Sequence, residues 1–217
     1  VRPIVPSGFN SVSPGVAVDV VGPEGESFTD QVGELAIRAP FVGMTQSFWR
    51  DDARYLETYW QTLPGLWVHG DLAIRRGDGH FFMRGRSDDT LKIAGKRLGP
   101  AEVEEAVLQL TGLVEAAAIG MPDEASGERL VIFVVAEPGS AETADAIAAR
   151  VSLHVEAALG RPFRPAAVHC VSQLPKTRSS KIMRRVIRNL YRGSSPGDLS
   201  SLDNPAALDE ILAAAAG

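Results

Sequence analysis

The stretch LPKTRSSKIMRR, Leu174 to Arg185, gathers positive charge in a chain whose formal net charge is −5. Lys176, Arg178, Lys181, Arg184 and Arg185 all lie within it. A lysine ammonium is a compact point charge on a flexible stem and suits a single phosphate or carboxylate oxygen. At about 4 Å and an effective dielectric of about 20, one such contact is worth about 4 kcal/mol before desolvation. Lys181 follows Ser179-Ser180, where a loop gives way to a helical pattern, so its side chain should project free of the packed core. The same composition also suits the solvated face of an amphipathic helix. Periodicity alone does not separate Lys181 from Lys176.

Three further positions could bind a ligand. Asp71 follows Gly70 at the end of an apolar and aromatic run, where a carboxylate can accept two hydroxyl hydrogens, as in ribose recognition. It equally suits a turn aspartate that bonds its own backbone. Arg86, in GRSDD, could fork onto a phosphate or carboxylate, or sit in a polar linker. Gly95, in KIAGKRLGP, could let a ligand approach the backbone closely, or could serve a simple turn.

Other chemistries find no support. His69, His80, His154 and His169 lack metal-ligand spacing relative to one another and to Cys170. His154 lies beside an apolar helical stripe and reads as a satisfied core residue. Cys170 falls in a strand pattern and reads as inert packing; as the single cysteine it allows no internal disulfide. There is neither a GxSxG elbow nor a GxxxxGK[ST] phosphate loop.

The elements that must position these residues fall into two kinds of pattern. Residues 1–85 read as strands and tight turns: VAVDVVG (Val16–Gly22), the alternating GELAIRAP (Gly33–Pro40), then LWVHGDLAIRR and HFFMRGR flanking the hairpin signal Gly77-Asp78-Gly79. FWRDDARYLETYW (Phe48–Trp60) is helix-like. From Asp88 the pattern changes. Short extended pieces surround Gly95, and AEVEEAVLQL follows with Val103, Val107 and Leu110 on one helical face and Glu102, Glu104 and Glu105 in its first turn. VEAAAIG and LVIFVVAE read as buried strands joined by MPDEASGE as a turn. Ile147, Val151, Val155 and Ala158 stripe a second helix that ends near Gly160, and AAVHCVSQL (Ala166–Leu174) is a third strand. KIMRRVIRNL is a third helix, with Ile182, Val186 and Leu190 inward and Arg184, Arg185 and Arg188 outward. SSPGDLSSLDNP (Ser194–Pro205) is a loop-rich tail before a short alanine-rich end.

The totals agree with this reading. At 217 residues the chain suits one or two domains of about 100–200 residues each. Apolar residues make up 45%, enough for a core. The acidic balance argues against bulk attraction to nucleic acid or an anionic membrane, and no apolar run reaches the length of a membrane span. The opening VRPIVPSGFN lacks the apolar core of a signal peptide, and a cytoplasmic location is expected. A chain that starts on Val, with elements resembling the middle of a fold, is expected to be a fragment.

Taken together and in order, WVHGDLAIRR, GHFFMRGRSDDTLKIAGKRLGPAEVEEAV and LPKTRSSKIMRR resemble the C-terminal third of the adenylate-forming acyl-CoA synthetases, acetyl-CoA synthetases in particular. The tail GDLSSLDNPAALDEIL is similar to the end of those enzymes. The resemblance implies an α+β chain in three parts. Residues 1–87 would be the β-rich end of the large adenylation domain. Residues 88–193 would be a mobile small domain, a short hairpin and a three-stranded sheet flanked by helices. Residues 194–217 would be the tail and a short helix. It also implies an ATP-dependent acid–thiol ligase. A small carboxylic acid attacks the α-phosphate of ATP, with Mg²⁺ assisting, and CoA then displaces AMP. By the same resemblance Lys181 is the catalytic lysine, Asp71 holds the ribose hydroxyls, and Arg86 and Arg97 contact the nucleotide. Asp88 is the hinge, and Lys92 and Gly95 lie in the loop that enters the site for thioester formation. No residue of this chain is implied as a metal ligand.

Departures from the family pattern are equally specific. The phosphate loop and acyl pocket would belong to a large N-terminal domain, so this stretch alone is expected to be inactive. Ser180 stands where a glycine is usual before the lysine, and Glu156 stands where a basic residue is often found, which leaves one CoA contact in doubt. Two other readings stay open. One is a free-standing, non-catalytic small domain that docks on a separate ATP-binding subunit or a modifying enzyme. The other is regulation at Lys181 by a lysine acetyltransferase and deacetylase, since acetylation would delete the charge.

Overall fold

The computed structural model describes residues 3–87 and 89–216. The chain divides into two compact units, Val1–Asp88 and Asp89–Gly217.

The first unit is built on an antiparallel five-stranded sheet of β1 (Gly8–Phe9), β2 (Val18–Val21), β3 (Val32–Ile37), β4 (Trp67–Arg75) and β5 (Phe81–Arg86), in the order β1-β5-β4-β3-β2. β4 and β5 form the expected hairpin, closed by Arg76 N–H to the His80 carbonyl at 2.8 Å. Helix α1 (Asp52–Trp60) is capped by Asp51, which accepts from the Arg54 N–H at 3.1 Å, and lies against β4, with Tyr59 stacked on Trp67. Val20, Ala36, Ala73 and Val68 are buried. Asp19 is buried beside them, which its local pattern does not foretell. Its carboxylate takes Arg38 Nε at 2.6 Å, Arg75 Nη1 at 2.8 Å, the Ser27 hydroxyl at 2.5 Å and the Val20 N–H at 2.9 Å. Burial pushes this carboxyl up, but the four donors outweigh burial and hold it below the usual aspartate range.

In the second unit a hairpin, β6 (Leu91–Ile93) and β7 (Lys96–Leu98), leads into α2 (Pro100–Leu108). β8 (Leu113–Asp123) and β9 (Gly127–Ala136) pair antiparallel over their whole length. α3 (Ala144–Leu159) crosses over, and β10 (Ala167–Cys170) returns parallel to β9 on its other side. α4 (Arg184–Tyr191) and α5 (Ala207–Ala216) finish the unit. β9 reads as an unbroken apolar run because both its faces are covered. Leu130, Ile132 and Val134 pack with Val103 and Val107 of α2 and Ile147, Val151 and Val155 of α3. Val131, Phe133 and Val135 pack with Val186, Ile187 and Leu190 of α4 and Ile211 of α5. The α+β class with a hairpin, a three-stranded core sheet and flanking helices is as expected.

Several boundaries differ, for local reasons. Met121, Pro122, Asp123, Gly127 and Glu128 are paired strand residues rather than turn, leaving Glu124–Ser126 as the turn, tightened by Ser126 N–H and Oγ on Asp123 Oδ2 at 2.9 and 2.7 Å. Ala158 is exposed, and Leu159 packs on the core in its place. β10 is shorter than its apolar pattern. α4 starts at Arg184, so Lys181 and Ile182 precede it, Ile187 turns fully inward and Arg184 is drawn onto Glu104 rather than pointing outward. His154 is half-buried, but its Nε2 has no hydrogen bond among the described residues.

Candidate active site

In the first unit Asp71 and Arg86 are cross-strand partners on β4 and β5. Arg86 Nη1 lies 3.5 Å from Asp71 Oδ1 and 3.4 Å from the His69 carbonyl, and His69 Nδ1 engages Asp71 Oδ2. Gly70, between the two, has φ +81°, and a Cβ there would stand 2.8 Å from Arg86 Nη2. Glycine is therefore what lets the guanidinium lie over the strand beside the carboxylate. The Asp71 side chain is 17% exposed and Arg86 49%, so the pair presents both an acceptor and a fork of donors to solvent.

In the second unit the β6–β7 hairpin carries three further expected residues. Ala94 and Gly95 form its two-residue turn, with φ +49° and +75°, the turn type that requires both central residues at positive φ. Nothing lies within 4 Å of a Cβ placed at Gly95, so the tip is open. Leu91, Ile93 and Leu98 face the core; Lys92 and Arg97 sit directly opposite each other on the solvent face. Like charges opposite each other across strands destabilise a sheet, and an anionic ligand would relieve that repulsion. The hairpin is fastened to the end of the main sheet by the Ile93–Gly127 pairing, Ala94 N–H to the Ser126 carbonyl at 2.9 Å, and Lys92 N–H to Glu128 Oε2 at 2.6 Å.

Residues 176–182 form a second, smaller hairpin. Thr177 N–H donates to the Lys181 carbonyl at 2.9 Å, Ser180 N–H to the Thr177 carbonyl at 2.8 Å, and Lys176 pairs with Ile182. Ser180 takes φ +61°, a left-handed position better suited to glycine. Here the two lysines separate. Lys176 Nζ is engaged by Glu115, whereas the exposed Lys181 ammonium has no hydrogen bond or ion pair among the described residues. Neither does any such bond join Lys181 to Lys92, Gly95 or Arg97.

Just beyond Lys181, Arg184 turns inward onto Glu104. Its Nε reaches Oε1 at 2.7 Å and Nη2 reaches Oε2 at 2.5 Å, while Oε1 also accepts the Ala118 N–H at 2.9 Å. Hydrogen bonding to Glu104 holds the guanidinium above its ordinary pKa, against the opposing pull of burial. The sequence pattern places Glu104 in the first turn of α2 and shows no partner for it; it is 7% exposed and joins α2, β8 and α4. Glu156, the departure on α3, pairs with Arg164 at 3.1 Å, which offsets its charge locally. The Cys170 thiol is pushed up, first by burial and then by Glu142 and Asp145, in keeping with inert packing. Asp88 lies outside the described residues.

Residues 102–181, which run from the start of α2 to Lys181, match the family described as AMP-binding enzyme C-terminal domain. That stretch is similar to the C-terminal domain of the adenylate-forming enzymes. It is 37% identical over 209 residues to an acetyl-coenzyme A synthetase of Pyrobaculum aerophilum, covering 96% of this chain and 31% of that protein. A 3-hydroxypropionyl-coenzyme A synthetase of Metallosphaera sedula is 40% identical, covering 91% of this chain and 30% of the relative. Among solved structures, acetoacetyl-CoA synthetase from Streptomyces lividans superimposes with a TM-score of 0.84 at 29% identity, over 97% of this chain and 32% of that one. ATP-bound MatB from Rhodopseudomonas palustris gives 0.74 at 25% identity, over 87% and 36%. The chain therefore spans about a third of the length of the relatives it matches. No helix among the described residues is long and apolar enough to cross a membrane.

Proposed function

We propose that this chain is the part of an AMP-forming short-chain acyl-CoA synthetase that grips the nucleotide ribose and supplies the reacting lysine. The observation that carries this reading is the contrast between the two lysines of one hairpin. Lys176 is neutralised by Glu115, and Lys181 presents an unpaired charge to solvent.

Charge develops on the α-phosphate oxygens as the acid's carboxylate attacks phosphorus and pyrophosphate leaves. An ammonium held at the tip of an ordered loop stabilises that charge with little reorganisation. Asp71 accepts the ribose hydroxyls, and Arg86, beside it, forks onto the nucleotide. In the second step the CoA thiol adds to the acyl carbon and AMP departs. The open tip at Gly95 gives the thiol arm a path, and Lys92 and Arg97 meet its phosphates or those of the nucleotide. With Asp88 as hinge, the second unit serves the two steps in turn. The described residues contain no group of three or more His, Cys, Asp or Glu able to hold a metal. Mg²⁺, when bound with ATP, would supply charge neutralisation at the phosphates. Relatives that act on acetate and 3-hydroxypropionate favour a small acid as substrate.

The test is ATP–pyrophosphate exchange in the intact protein. Lys181→Ala is expected to lower it by about 10²–10³-fold, and Lys176→Ala to lower it far less. Equal losses from the two substitutions would overturn the reading.

A further inference from the structure

Lys181 stands at the end of a loop tip, residues 177–181, that contains no apolar residue, and Ile182 beside it packs on the core. Residues 178–181 are exposed, and Ser180 is strained. Fixing the backbone of such a tip costs conformational entropy, and with no apolar side chain on it hydrogen bonds have to supply its order. The C-terminal tail supplies them. Arg178 N–H donates to the Ser201 carbonyl at 3.2 Å and Asp203 N–H to the Lys176 carbonyl at 2.8 Å, on either side of an antiparallel pairing of Thr177 with Leu202. Asn204 completes the junction. Its Oδ1 accepts the Lys176 N–H at 2.9 Å, and its Nδ2 donates to the Leu174 carbonyl at 2.9 Å and to Gln173 Oε1 at 3.0 Å. The tail is itself anchored by α5. Ile211 is fully buried under α4, and Glu210 takes the Ser172 N–H at 2.6 Å, just ahead of the loop.

Three antiparallel runs, 201–203, 176–178 and 181–182, thus form a miniature sheet, with Lys181 across from Thr177. Without the tail, both backbone groups of Lys176 and the N–H of Arg178 would lose their protein partners. A misplacement of about 1 Å can cost about 10²-fold in rate when a reacting group must be held in near-attack geometry.

We propose that Asn204 is a positioning residue for Lys181, and that the tail strand Ser201–Asp203 is the strap through which it acts. The inference rests on Lys181 being the reacting cation. Asn204→Ala in the intact protein is expected to lower kcat for acyl-adenylate formation at least tenfold, leaving KM for ATP and for the acid within twofold. Transfer of a preformed acyl-adenylate to CoA should be unchanged. Amide hydrogen exchange at residues 176–182 should quicken about tenfold, with β9 as protected as before. Lys181→Ala, run alongside, separates the two claims: if it leaves adenylate formation intact, the catalytic assignment fails. If it abolishes adenylate formation while Asn204→Ala leaves kcat unchanged, or slows both half-reactions equally, the positioning role fails. Should Asn204→Ala lose protection in β9 as well, Asn204→Asp decides. It keeps the acceptor for Lys176 and removes both donors; a kcat restored relative to Asn204→Ala supports the proposal, and one as low as that of Asn204→Ala with β9 protected overturns it.

Discussion

Replacing Glu104 by alanine should destabilise the second unit by about 3 kcal/mol, because it breaks a buried charge pair and leaves three donor groups without their acceptor. Glu104 is 7% exposed and receives three hydrogen bonds, two from Arg184 and one from Ala118. Breaking one side of a buried pair costs about 3–5 kcal/mol. The Arg184 side chain is 26% exposed and recovers part of its hydration, which places the expected loss at the lower end. Ala118 N–H lies in the middle of β8 and loses its acceptor, a contribution of about 1–2 kcal/mol already within that total. At about 3 °C per kcal/mol, the midpoint of thermal unfolding should fall by about 10 °C. Urea titration should show a lower midpoint with an unchanged slope. Arg184→Met alone should cost a similar amount, since it leaves the carboxylate buried and unpaired. Glu104→Met combined with Arg184→Met should cost much less than the sum of the two single replacements, with a coupling of about 2 kcal/mol. A single-variant loss under about 1 kcal/mol, or additive losses, would refute the claim that this pair ties α4 to α2 and β8.

Further predictions concern other parts of the chain. Ser180→Gly removes a left-handed strain and should stabilise the protein by about 0.5–1 kcal/mol, seen as a higher urea midpoint, with adenylation retained. Asp19, held below its ordinary value of 3.8, contributes stability that is fully present above that pH and lost as pH falls through the depressed folded value. Asp19→Asn should therefore flatten the acid limb of the stability profile below pH 3.8 and cost about 3 kcal/mol at neutral pH. Asp88→Pro should spare adenylation and slow thioester formation; equal loss of both steps would count against the hinge. Stoichiometric acetylation of Lys181 should reproduce the loss caused by Lys181→Ala, measured by pyrophosphate exchange.

Much of the fold was legible because it rests on short-range pattern. The alternation in β3, the glycine-bounded turn between β4 and β5 and the stripe of Val103 and Val107 each declare themselves within a few residues. The residues proposed to face ligands stood out only as a set: Asp71, Arg86, Gly95 and Lys181 each fit an ordinary turn or surface role, and family resemblance singled them out. What escaped was long-range. Glu104 looks like any first-turn glutamate until Arg184, eighty positions later, turns inward against it. Arg184 looked outward because the helical phase was counted from Lys181, whereas the hairpin delays the helix to residue 184. Asp19 and Asn204 carry no local signature, since the side-chain partners of Asp19 are Ser27, Arg38 and Arg75 and those of Asn204 lie at residues 173–176.

The central claim is that one unit offers Lys181 to the first reaction and the Gly95 hairpin to the second. The most direct measurement compares the two half-reactions, pyrophosphate exchange and acyl transfer from preformed adenylate to CoA, in Lys181→Ala and Gly95→Leu. A leucine at Gly95 meets nothing within 4 Å of its Cβ, so apart from the φ strain the unliganded fold accommodates it. The account predicts opposite losses: Lys181→Ala loses exchange and keeps transfer, and Gly95→Leu keeps exchange and loses transfer. Parallel losses of both activities in both variants would contradict it.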